Sequence, residues 1–402
     1  MGNVVRVLLI SDLHAFMGDL VDSSPSLIAL GTPSSPGVKL IDRCAAVVGE
    51  KFDRIDALLV AGDLTHQASG AALRTLWPLL VQLAERFGAS LFATAGNHDY
   101  DSRDSKRGNP KGDLLDLEPP FPFLDEVTRQ HYFAYDFALR AETHFAVLAL
   151  NSAAQHGYRK GAVPEYTHGS ITSSTTKRLA SVLNNEVLPP IKILLIHHHV
   201  SQLPGLDHAE TSMVQDAQEL HHVLEETGQW LIVHGHKHRP YIQTVSGGGD
   251  APIAFSSASF GANLGGTDFA GQVQNQFHVL ELESAPADAP ALALAGTAHS
   301  WSYSGTQSTG WHAAGPSDAL PAETGFGWKG SVQSVAAALA ASLTAEAPIL
   351  QREHILEVDR SIRYMTSRDL STLGVHLKKT HGVELVLHKN GTIQSIQALG
   401  SF

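Results

Sequence analysis

One cysteine, Cys44, stands among 402 residues. That scarcity excludes an internal disulfide framework and any thiolate metal cluster, and Cys44 shares an apolar helical pattern with Ile41, Val47 and Val48, which makes it a core thiol. Charge is also sparse, at 17%, and cations are the minority: 28 Lys and Arg against 40 Asp and Glu give a net charge of −12. Neutralising many phosphates takes a dense basic surface, so an extended nucleic-acid track is disfavoured, whereas a small phosphate ester remains compatible. Apolar runs fall short of the roughly 18 residues needed to span a bilayer, so no membrane crossing is expected. The first strand signal begins at Val4 without a basic segment or small-residue cleavage site before it, and the expected compartment is the cytoplasm.

Histidine, by contrast, is abundant, with 23 residues. Five clusters of His, Asp and Asn sit just past short apolar runs that read as buried strands: Val4 to Ile10, Ala57 to Ala61, Ser90 to Thr94, Ile191 to Ile196 and Trp230 to Val233. Helical patterns at Lys39 to Val48, Ala71 to Phe87 and Thr172 to Leu183 alternate with these strands, which is an α/β layered order. Two further strands are expected at His131 to Phe137 and His144 to Leu150. Pro252 to Ser256, Gln276 to Glu283 and Ala291 to Ser304 read as strands of a second sheet. The resulting architecture is two sheets packed face to face with helices outside, and ligand loops at the carboxyl ends of central strands.

The length suggests one large domain and a smaller one. Residues 1–313 form the expected catalytic domain, 314–330 a Gly/Pro/Ala/Ser-rich linker and 331–402 a small α+β module. In that module Val332, Val335, Ala336, Leu339 and Leu343 share a helical face. Ile355 to Val358 reads as a strand, and Ser367 starts a helix that Gly382 ends. Asn390-Gly391 between Val383 to His388 and Thr392 to Ala398 is a hairpin signal, because Asn-Gly accepts the positive φ of a tight turn. No chemical motif falls in the module, which leaves protein-partner binding open as its role.

Five clusters carry the chemistry: Asp12-Leu13-His14, Gly62-Asp63, Gly96-Asn97-His98-Asp99, His197-His198-His199 and Gly235-His236-Lys237-His238. A lone Asp-x-His is more often a turn carboxylate beside a half-buried histidine than a metal site. All five in this order, each after a strand signal, resemble the calcineurin-like metallophosphoesterase superfamily over about residues 1 to 313. Within it the chain looks closest to the branch of class III cyclic-nucleotide phosphodiesterases and glycerophosphodiesterases.

The resemblance implies a four-layer αββα sandwich and two divalent transition-metal ions, Mn, Fe, Zn, Co or Ni. Asp12, His14 and His238 would hold the first ion, Asn97, His197 and His236 the second, and Asp63 would bridge them; His198 is the alternative to His197. Two ions about 3.5–4 Å apart can share a hydroxide and direct it at phosphorus. His98 is the implied catalytic histidine and Asp99 its support. At the position of a frequent acidic partner for that histidine stands His66, and Gln67 replaces the arginine of protein phosphatases. The implied activity is hydrolysis of a small phosphodiester of nucleotide type. The alternatives are a nuclease of related fold and a non-catalytic metal-binding regulator acting through the C-terminal module.

Substrate contacts are less sharply marked. Gln155 to Lys160 carries two cations and an aromatic suited to a phosphate and a stacked base, or is a solvated loop. Ser256 to Gly266 either offers backbone amides to phosphate or connects two sheets. Arg103, Lys106, Arg107 and Lys111 make a basic insertion that guides a nucleotide or balances nearby aspartates.

Overall fold

The computed structural model describes residues 4–102, 109–158, 168–206, 212–245, 247–266, 271–287, 289, 291–304 and 310–400. Strand Val5–Ile10 lies at the centre of one sheet, parallel to Ala57–Val60, which in turn is parallel to Ser90–Ala93. On its other side Gln276–Ser284 runs antiparallel and is followed outward by Leu294–Tyr303. The second sheet has the order Tyr241–Thr244, Ile253–Ser256, Leu231–His234, Ile191–Ile196, Phe145–Leu150, Phe137–Ala141, and its four middle strands are parallel.

The two-residue period of these strands builds the layers. Ile191, Ile193 and Leu195 join Val147, Leu231 and Val233 in the large core shared with the first sheet. The intervening Leu194 and Ile196 join Leu148 and Ile232 in a second core, with Leu179, Leu183, Leu220 and Leu224 from helices Ser173–Asn185 and Ala217–Glu225. Helices Pro36–Lys51 and Gly70–Phe87 bury Leu40, Cys44, Leu76 and Trp77 in the large core. The four-layer αββα order is therefore realised, and strands buried on both faces explain the continuous apolar runs. Among the described residues no helix is long and apolar enough to cross a membrane.

Several sequence expectations give way. The three later strands do not share a second sheet: Ile253–Ser256 pairs with Leu231–His234, whereas Gln276–Ser284 and Leu294–Tyr303 extend the first. His131 to Phe137 is mostly helix, Glu126–Tyr135, started by Asp125, whose side chain accepts the Thr128 N–H at 2.9 Å, and ended by Asp136 at φ 63°. Its aromatic residues mimicked a strand, but Tyr132 is buried from a helical face. Ile355 to Val358 lies in helix Arg352–Val358 and buries Ile355.

The expected linker 314–330 is folded, since Glu323–Phe326 pairs antiparallel with Leu294–Tyr303 and Phe326 is fully buried. Glycines that suggested flexibility instead permit contact. At Gly325 a Cβ would stand 2.4 Å from the Arg363 carbonyl oxygen, so the module's backbone lies directly on this strand. The module has its own core, including Leu339, Leu373 and Ile396, and its hairpin turns at Gly391 with φ 92°.

Candidate metal centre

Each of the five clusters leaves the carboxyl end of a parallel strand. Asp12 and His14 follow Val5–Ile10, Asp63 follows Ala57–Val60, and Asn97 follows Ser90–Ala93. From the facing sheet, His197 follows Ile191–Ile196, and His236 and His238 follow Leu231–His234. Both sheets thus contribute to the donor set, four residues from the first and three from the second. Fitting so many side chains into one cleft bends the loops: Asp12, His14, Asp63, His236 and His238 have φ of 52, 48, 51, 77 and 58°. These are left-handed conformations that cost non-glycine residues energy and collect at functional sites.

The motif glycines permit the loops to touch. At Gly96 a Cβ would lie 2.2 Å from Asp63 Oδ1, and at Gly235 one would lie 2.0 Å from Ser11 Oγ. No side chain larger than hydrogen fits either position without displacing one of these groups.

Asp63 lies between the two halves of the set. Its Oδ2 is 3.5 Å from His14 Nε2 and 3.4 Å from His197 Nε2, while Oδ1 accepts the His98 backbone N–H at 2.8 Å. On one side His14 Nε2 and His238 Nε2 approach to 3.2 Å, with His238 Nε2 3.4 Å from Asp12 Oδ1. On the other, Asn97 Oδ1 is 3.1 Å from both His197 Nε2 and His236 Nδ1. Asp12, His14 and His238 form one group with ligand atoms within 4.8 Å of one another, and Asp12, Asp63 and His197 form another.

Protonation follows from these contacts. His197 Nδ1 lies 2.8 Å from the Ala61 carbonyl, so Nδ1–H donates there and Nε2 faces the centre. Burial lowers the pKa of His197, but the Asp63 carboxylate and then Asp12 push it up to about 9. Burial brings His14 down to about 3 against the pull of Asp63, and burial with neighbouring imidazoles holds His236 far below its ordinary value. The neutral imidazoles of His14 and His236, the ionised Asp12 and Asp63 and the Asn97 carbonyl oxygen converge at a point that demands positive charge, and the raised pKa of His197 reports the same demand, met there by a proton that a bound cation would displace. The donor set fits divalent cations of the nitrogen-accepting transition series.

His98 and Asp99 diverge. The His98 ring stacks on His66 with centroids 5.4 Å apart and meets His14 edge-on at 4.7 Å; its Nδ1 is buried without a hydrogen-bond partner among the described residues. Asp99 bonds elsewhere. It accepts the N–H groups of Gly96, Leu64 and Thr65 at 2.9, 3.1 and 2.9 Å and the Thr65 hydroxyl at 3.3 Å. It therefore fastens the Asp63 loop to the Asn97 loop. Burial, then Asp63, raises its pKa to about 7 against those bonds.

Of the triple histidine, His197 faces Asp63 and Asn97. His198 Nδ1 bonds Ser152 Oγ at 2.8 Å, and its ring stands 4.5 Å from that of His236, so it lies beside the second half of the set. His199 is buried, with its ring 6.1 Å from His236. Supports outside the motifs include Ser11, which donates to Asp12 Oδ2 at 2.6 Å, and Tyr132, whose hydroxyl accepts the Ala95 N–H at 2.9 Å. Ser259 donates to the Asp12 carbonyl at 2.8 Å and accepts the Gly261 and Ala262 N–H groups, so the Ser256–Gly266 stretch braces the first loop. Ser11 is readable as the neighbour of Asp12; Tyr132 and Ser259 have no local signal.

Other candidates lie farther off or outside the described residues. His156 is buried and bonds the His168 carbonyl, Tyr158 is exposed, and Arg159 and Lys160 lie outside the described residues. Arg103, Lys106 and Arg107 also lie outside them, while Lys111 sits 5.5 Å over the Phe133 ring.

A cAMP/cGMP dual-specificity phosphodiesterase of Mycobacterium tuberculosis (strain CDC 1551 / Oshkosh) is 30% identical over 207 residues, 51% of this chain and 55% of the relative, so the chain spans about half the length of that protein. Among solved structures, PhoD gives a TM-score of 0.44 at 9% identity over 77% of this chain and 68% of its own. A 5′-nucleotidase precursor from Thermus thermophilus gives 0.37 at 16% identity, over 74% of this chain and 54% of its own. The profile described as calcineurin-like phosphoesterase matches residues 5–263, a span that contains all five clusters, and the chain belongs to that family.

Proposed function

We propose that the protein is a two-metal phosphodiesterase that hydrolyses a small nucleotide-type phosphodiester, with cyclic nucleotides as the leading substrate class. The observation that carries this reading is the position of Asp63, whose Oδ2 faces His14 on one side and His197 on the other. Asp12, His14 and His238 would hold one ion, Asn97, His197 and His236 the second, and Asp63 would belong to both. When bound, such a pair supplies Lewis acidity towards the phosphoryl oxygens and acidifies water near neutral pH.

The chain's own groups do the rest. The Ala61 carbonyl fixes the His197 tautomer, Ser11 and the His236 N–H hold the Asp12 carboxylate, and the stacked His66 and edge-on His14 orient His98. With Nδ1 of His98 inside, Nε2 is the nitrogen that protonates the leaving oxygen. A diester carries one charge at neutral pH and needs no arginine clamp. Arg239, beside the last motif, gives its guanidinium to the Pro204 carbonyl. The dual-specificity phosphodiesterase relative supports the same substrate class.

The test is a matrix of Mn, Fe, Co, Ni and Zn against cAMP, cGMP, bis-p-nitrophenyl phosphate and p-nitrophenyl phosphate, on wild type and Asp63→Ala, with metal content measured in parallel. Diester cleavage by wild type, and loss of both metal and turnover in the variant, are expected. Cleavage of the monoester alone overturns the reading.

A further inference from the structure

A cavity of about 260 Å³ lies on the seam between the first sheet and the C-terminal module. One wall contains Glu281, which bonds Arg6 near the amino end of the Val5–Ile10 strand. The candidate metal loop leaves the carboxyl end of that strand, roughly 20 Å away at ~3.3 Å per residue. The cavity is therefore separate from the centre described above.

Charges on the sheet side are already matched. Arg6 Nε bonds Glu281 Oε1 at 2.9 Å, Glu281 Oε2 meets His299 Nε2 at 2.9 Å, and Lys51 reaches His299 Nδ1 at 2.8 Å and Glu323 at 3.3 Å. Two carboxylates and two cations leave no net charge there. Arg363, also in the lining, pairs with Glu283 at 3.2 Å.

Two lining groups remain unmatched among the described residues. Thr324 is only 3% exposed, and its Oγ1 has no hydrogen-bond partner. Arg352, half-buried at the start of its short helix, has no carboxylate or carbonyl bonded to its guanidinium. Leaving a buried hydroxyl and a partly desolvated cation unsatisfied is costly. The module also contributes an apolar stretch of wall, Ile355, Leu356, Ile362, Met365 and Leu370, beside Thr392 of its hairpin.

From this combination we infer that the seam cavity binds a small amphipathic anion, with its carboxylate or phosphate on Arg352 and Thr324 and its apolar body against the module. A concave site with an apolar wall and a few convergent polar groups is the usual form of a small-molecule pocket. Because Thr324 belongs to the sheet and Arg352 to the module, the ligand ties the two together and raises the melting temperature of the whole chain.

Calorimetric titration of the full chain with octanoate, octyl phosphate, octanol and inorganic phosphate tests this, on wild type, Arg352→Gln and Thr324→Val. Saturable binding of octanoate or octyl phosphate is expected, weakened about tenfold or more by Arg352→Gln and several-fold by Thr324→Val, with octanol and inorganic phosphate far weaker than either amphiphile. Whichever amphiphile binds more tightly identifies the head group. Absence of saturable binding by both, octanol binding as tightly as they do, or unchanged affinity in Arg352→Gln overturns the inference. Neither substitution removes a bond present in the structure, and Thr324→Val keeps the side-chain shape, so both variants remain readable.

Discussion

The Asp99 carboxylate accepts the Thr65 backbone N–H at 2.9 Å, and this bond joins two candidate ligand loops that are more than thirty residues apart in sequence. Asp99→Asn replaces one acceptor oxygen by a donor facing N–H groups. A loss of ~2–4 kcal/mol is expected from the broken and opposed bonds. Metal affinity and stability should fall together in titration and urea unfolding. An unchanged urea midpoint with lost turnover would instead make Asp99 a participant in the reaction.

His98→Ala removes the proposed proton donor and leaves every candidate ligand in place. The expected result is a fall in kcat of about 10²–10⁴-fold with metal content unchanged. Steady-state kinetics on a diester with a poor leaving group, alongside elemental analysis, checks it. A diester with a good leaving group should lose less, because its oxygen needs no proton.

Left-handed backbone at the candidate ligands should have a measurable cost in the metal-free protein. His14 sits at φ 48°, a conformation that asparagine tolerates better and that costs other residues on the order of 1–2 kcal/mol. Metal-free His14→Asn should therefore melt at or above metal-free wild type, although only wild type should gain stability when metal is added. A metal-free variant that is clearly less stable than metal-free wild type would refute the strain argument.

Acid stability should report His278, which is fully buried against Phe255 with Nδ1 on Ser300 Oγ at 2.9 Å. Burial lowers its pKa from 6.5 to about 3. The unfolded chain takes up this proton first, so the contribution is complete above about pH 6.5 and is lost as pH falls towards 3, at up to ~1.4 kcal/mol per pH unit. His278→Leu should flatten the acid limb of a urea-midpoint profile by about one proton. An unchanged slope would show that His278 is accessible to protons in the native state.

The site was more legible in the sequence than its surroundings. Asp12, Asp63, Asn97 and His236 are each placed by a local rule, in which a buried strand ends and a polar turn begins. The Tyr132 hydroxyl at Ala95 N–H and the Ser259 hydroxyl at the Asp12 carbonyl are set by packing between distant segments, which no local pattern encodes. The same limit explains the errors in the fold. His131 to Phe137 has enough aromatic residues to pass for a strand, and only the Asp125 cap and the Asp136 turn decide for a helix. Gly325 and its neighbours read as flexible, yet glycine is there to let another backbone come close.

Because Asp12, His14, Asp63 and Asn97 belong to one sheet and His197, His236 and His238 to the other, the centre is also a clasp across the open end of the sandwich. Any sliding of one sheet over the other must change the donor spacing before it breaks a strand pairing. On the proposed function, turnover is a gauge of sheet alignment: under gradual heating or urea, activity should vanish while far-ultraviolet circular dichroism still reports intact helices and strands.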